Sequence, residues 1–123
     1  MKLNFISLAV FVLGFSASAS AAEYDIMGIG TQTCGQYADV YRMSPTVADN
    51  SYFSWAQGYM SGINLGFIAN GGKSKNLNSI SPEEQRHTLR QYCDEHPLAQ
   101  YNKAVLDLLT RFQAMSPDKP AHQ

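Results

Sequence analysis

Apolar positions recur along most of this chain with the period of a helix, and proline, glycine or serine stands wherever the recurrence breaks. Cys34, Tyr37, Val40 and Tyr41 fall at i, i+3, i+6 and i+7, which is one helical face. Thr33 is a fitting N-cap for that segment, and Ser44-Pro45 ends it near Met43. The next segment runs from Tyr52 to about Ala69, with Asp49, Asn50 or Ser51 as its cap. Its core stripe is Phe53, Ala56, Met60, Ile63 and Phe67. Ser81-Pro82-Glu83-Glu84 is the strongest local signal. Ser81 caps, Pro82 takes the first helical position, and Glu84 reaches back as in a capping box. That helix is expected to run to about Asp94 with Leu89, Tyr92 and Cys93 inward. Pro97 is expected to start a fourth helix carrying Leu98, Tyr101, Ala104, Val105, Leu108, Leu109 and Phe112, which Ser116-Pro117 ends. Only Glu23 to Gln32 is ambiguous between an extended arm and a brief strand. The pattern predicts an all-α, four-helix domain.

Two stretches depart from a plain amphipathic pattern. Gly58, Gly62 and Gly66 form a second stripe at four-residue spacing, and each costs about 1 kcal/mol against Ala inside a helix. The reading favoured here is close packing of a neighbouring helix within the fold; contact with a second copy or a partner is the other. Asn70 to Ile80 is a polar loop, longer than the ~2–8 residues that usually join helices. It is either a mobile connection or a recognition loop on a rigid scaffold.

The start of the chain changes where the domain is expected to work. Lys2, an apolar run from Phe5 to Phe15, and small residues to Ala22 have the order of a secretory signal peptide. The run is too short for a membrane-spanning helix, and no Cys follows it to carry a lipid. The expectation is a cleaved leader over 1–22, a single exported helical domain over 23–115 and a flexible tail over 116–123. Without Lys2, eight Lys and Arg face ten Asp and Glu, a net charge of −2. Such a balance lacks the basic face that a nucleic-acid or anionic-membrane binder needs. Two cysteines remain, and in an oxidising compartment one intramolecular disulfide, Cys34–Cys93, is the economical reading. A free thiol with His87 or His96 as its base is the competing one.

A search for catalytic chemistry returns little. Glu83, Glu84 and His87 share a helical face, but a zinc site wants three or four ligands, and no further His or Cys cluster accompanies them. There is no nucleophile elbow, phosphate-cradling loop or dinucleotide fingerprint. The carboxylates are scattered. No catalytic residue, metal or cofactor is assigned, and the chain reads as a binding protein rather than an enzyme.

The run Tyr52-Phe53-Ser54-Trp55-Ala56-Gln57-Gly58-Tyr59-Met60-Ser61-Gly62-Ile63-Asn64 has a specific look. It is followed at a particular spacing by Leu89-Arg90-Gln91-Tyr92-Cys93, by Pro97, and by Ala104, Val105, Leu108 and Leu109. With the upstream Cys34 and the leader, the chain resembles the Rap/Tai family of type VI secretion amidase immunity proteins from Thr33 to Phe112. That resemblance implies a small, helical, disulfide-bonded periplasmic protein, commonly a homodimer. Family members bind peptidoglycan amidase toxins delivered by neighbouring bacteria and block their active sites. It implies Cys34–Cys93 as the disulfide. Trp55, Gly58, Tyr59, Gly62 and Asn64 become scaffold or dimer contact. In such proteins an exposed loop enters the toxin cleft. Length and polarity nominate Gly71, Gly72, Lys73, Ser74, Lys75 and Asn76 for it here. The alternative expectation is a periplasmic acid-stress chaperone of the small helical disulfide type, which exposes apolar surface when its carboxylates protonate.

Overall fold

Local capping chemistry starts two of the helices. Thr33 Oγ1 accepts from the backbone N–H of Gln36 at 3.2 Å while Gln36 Oε1 accepts from the Thr33 N–H at 2.8 Å, a complete capping box. It opens α1, Cys34–Met43. Ser81 Oγ accepts from the Glu84 N–H at 3.2 Å and Pro82 fills the first position of α4, Pro82–Glu95. The chain is seen here in a computed structural model that describes residues 25–116. The expected leader over 1–22 and most of the expected tail lie outside the described residues.

The second segment starts earlier than its pattern suggests. Ser44 turns the chain, and α2, Pro45–Ala48, begins at once because a proline at the first helical position is already set for helix. It passes through one π-turn, Asp49–Phe53, into α3, Ser54–Ala69, so Asp49, Asn50 and Ser51 are interior to a helical rod rather than caps. The wide turn adds one residue to the register and lets consecutive Tyr52 and Phe53 both reach the core, ahead of Ala56 and Met60. The stripe then runs out: Ile63 is half-buried and Phe67 is 39 % exposed, because α3 outlasts the body it packs on.

The fourth helix starts later than its pattern suggests. Residues 97–100 form a turn, Leu98 is 91 % exposed rather than part of the stripe, and α5 is Tyr101–Arg111. The reason lies at the other end of the chain. The first N–H groups of α1 have no acceptor within their own helix. The carbonyls of Ala99 and Pro97 take the N–H groups of Cys34 and Gly35 at 2.8 and 2.9 Å. Carbonyls facing α1 across the fold are not free to begin a helix. The Thr33–Gln100 bridge, with the Tyr101 N–H on Gln32 O at 2.8 Å, completes the join.

Among the described residues there are thus four helical rods and no strand, an all-α domain tied by the Cys34–Cys93 disulfide with its Cα atoms 4.7 Å apart. The bond pins the start of α1 to the end of α4, and no free cysteine remains. The core holds Tyr37, Tyr52, Phe53, Met60, Leu89, Val105, Leu108 and Phe112 around Tyr101, which has no exposed surface. Tyr37, Tyr52 and Tyr101 meet with centroids 5.0–5.1 Å apart. No described helix is long and apolar enough to cross a membrane.

Candidate partner-binding surface

The polar loop after α3 is built in two parts. Its first part closes the helix. Gly71, at φ +71°, gives its N–H to Ile68 O at 3.0 Å, and Gly72 gives its N–H to Phe67 O at 2.7 Å. This is a Schellman ending, which asks for glycine at the left-handed position. Lys73 follows, exposed at the apex. The second part is latched to the body. The Asn64 side chain donates to Lys75 O and accepts from the Lys75 N–H, both at 2.8 Å. Lys75 also bridges antiparallel to Ala114, with the Asn76 N–H on Gln113 O and the Met115 N–H on Ser74 O, each at 2.8 Å. Lys75 Nζ reaches Phe112 O at 3.2 Å. Buried Gln85 donates to Leu77 O and Ile80 O at 3.2 and 2.8 Å.

Of the six loop residues nominated from sequence, Ser74, Lys75 and Asn76 are therefore half-buried and occupied within the fold. The free apex is Gly71, Gly72 and Lys73. Asn64 is the clamp of this loop. Gln85 was missed altogether; a lone amide among the inward positions of α4 gives no sign in sequence of which carbonyls it will meet.

Trp55 and Tyr59 stack on α3 with centroids 4.8 Å apart and planes at 15°. The 3-10 turn Gly28–Thr31 lies over them, where a Cβ on Gly30 would fall 2.1 Å from the Trp55 ring. Both aromatics serve the scaffold. The glycine stripe corrects the packing expectation. Apart from their chain neighbours and the backbone of their own helix, nothing among the described residues lies within 4 Å of a Cβ placed on Gly58, Gly62 or Gly66. No described helix approaches there, because α5 packs on the opposite, Ala56–Met60 side of α3. The open face continues into Leu65, 73 % exposed, and Ile68, 59 % exposed. From Asn50 to Gly72 the chain carries no ionisable acid or base except Tyr52 and Tyr59.

The titration of the core follows its burial. Desolvation pushes the Tyr37 hydroxyl up to about 12 and raises Tyr101 and Tyr52 as well. The Tyr101 hydroxyl and Asn102 Oδ1 are sealed without a partner among the described residues. Glu83, Glu84 and His87 lie exposed on α4, and no described group of three His, Cys, Asp or Glu side chains is placed to hold a metal ion. No family model, curated protein or solved structure matches this chain.

Proposed function

We propose that this chain is a periplasmic immunity protein that binds a peptidoglycan amidase effector of a type VI secretion system and occludes its active site. One observation carries the reading: an uncharged, apolar helix end, Leu65 to Ile68, closed by a glycine turn and projecting from a disulfide-tied body. Exposed apolar surface of this kind is disfavoured on a protein that meets no partner. The apex formed by Ile68, Gly71, Gly72 and Lys73 is the element that enters the toxin cleft, and the clamp at Asn64 holds it in place before contact. That pre-ordering lowers the entropy lost on binding.

The reading includes a homodimer. The face of Gly58, Gly62 and Gly66 admits the backbone of a second helix, and a face without charge meets its own copy without repulsion. Gly62→Leu, which has room in the monomer, is expected to move the protein from dimer to monomer in sedimentation velocity.

The functional test is capture of cell-wall amidases by the oxidised chain from residue 23 at pH 7, with inhibition measured on peptidoglycan. Stoichiometric capture that Ile68→Ser with Lys73→Glu weakens at least tenfold, at unchanged helical signal, is the expected result. Capture of no amidase at pH 7, with protection of unfolded clients near pH 3, would move the assignment to the acid-stress chaperone.

A further inference from the structure

A cavity of about 350 Å³ lies between α1 and α4, lined by Tyr37, Ala38, Tyr41, Arg42, Arg90 and Asp94. Its volume is in the range that holds small ligands. The charges in its wall are unevenly committed. Arg42 is ion-paired with Asp39. Arg90 makes no ion pair or hydrogen bond among the described residues; its guanidinium lies over the Tyr41 ring, 4.8 Å from the centroid. A cation–π contact of this kind makes no use of the guanidinium N–H donors. The ring therefore holds the group in the cavity wall and leaves its donors unused. Asp94 stands one helical turn on, a spacing at which opposite charges commonly pair, yet it bonds neither to Arg90 nor to any other described residue. The Tyr37 hydroxyl, on a side chain only 4 % exposed, also has no hydrogen-bond partner among the described residues. Its raised pKa keeps it a neutral donor across the physiological range.

Two unused donors, one unused carboxylate and a phenol-lined wall therefore share one space whose uncommitted charge sums to zero. A dianion such as phosphate would meet Asp94 as a like charge, and a plain cation would meet Arg90. A ligand with one charge of each sign fits both. We propose that this cavity binds a free α-amino acid with an apolar side chain. Its carboxylate accepts from Arg90 and the Tyr37 hydroxyl, its ammonium donates to Asp94, and its side chain rests on Tyr41 and Ala38.

The test is a titration of the oxidised chain at pH 7, followed by the Arg90 Nε–H and Ala38 amide resonances. The probes are leucine, N-acetyl-leucine, which lacks the ammonium, and leucinamide, which lacks the carboxylate. Leucine is expected to shift both signals saturably, with each derivative at least tenfold weaker. Arg90→Gln is expected to weaken leucine at least tenfold, whereas Arg111→Gln, whose guanidinium is bonded to Asp107 on α5, leaves it unchanged. Asp94→Asn provides the second reading: it should weaken leucine and leave N-acetyl-leucine as it was. Absence of a saturable shift, binding that survives Arg90→Gln, or equal affinity for leucine and N-acetyl-leucine would each overturn the proposal.

Discussion

At Gly30 the absence of a side chain is a steric requirement, since a Cβ there would overlap the Trp55 indole. Gly30→Ala is expected to lower stability by about 2 kcal/mol, in the range of overpacked cores, and urea unfolding followed by the fluorescence of the single tryptophan measures it. At Gly71 the requirement is conformational. A positive φ costs an L residue about 1 kcal/mol, so Gly71→Ala should destabilise by that amount without any clash. Tyr37, Tyr52 and Tyr101, all raised by burial, set the alkaline limit together. The Tyr37 pKa in the fold is about 12 against 10.0 for the free side chain, so the folded state holds this proton more tightly than the unfolded state. The stability it contributes is complete below pH 10 and is lost as pH rises toward 12. Far-UV dichroism across that window should show the loss, and Tyr37→Phe should reduce it while Tyr101 and Tyr52 keep the remainder.

At the scale of elements, α3 separates two roles that its sequence superimposes. Its core stripe and its glycine stripe share one helix, and only the first meets the rest of the chain. Ala at Gly58, Gly62 or Gly66 adds a methyl group in open space and removes the backbone-entropy cost of glycine. Each is expected to raise monomer stability by up to about 1 kcal/mol in chemical denaturation. A loss of monomer stability instead would mean that a helix packs on this face within one chain. The loop clamp gives a further prediction. Asn64→Ala removes both bonds to the Lys75 backbone and should cost about 1–3 kcal/mol, because those backbone groups lose their partners in a half-buried setting. Amide exchange at residues 74–76 should quicken while that of α4 does not.

For the whole molecule, the disulfide matters through the length of chain that it closes. Cys34 and Cys93 are 59 positions apart, and in the chain-entropy model a loop of that size is worth about 4 kcal/mol. A domain of this size is marginally stable, so reduction should remove a large share of its stability. A fall in melting temperature of several degrees or more with reductant is expected, while Cys34→Ser alone should match the reduced protein.

Sequence alone determined what depends on a few neighbouring residues. Thr33 and Gln36, and Ser81 ahead of Pro82, fix helix starts because donor and acceptor lie three positions apart. The periodic stripes through Met60 and Leu108 fix which faces are buried, and the count of two cysteines leaves one pairing. Tertiary structure decided whatever joins distant segments. The turn at 97–100 replaces the first turn of the expected fourth helix because α1, some sixty positions earlier, takes its carbonyls. Tyr52 and Phe53 both turn inward through a π-turn that no local signal announces. The loop after α3 divides into a free apex and a latched half because Asn64, eleven positions before Lys75, meets its backbone. Whether three glycines face a helix or open space depends on which side of α3 receives α5, and that is a property of the assembled core.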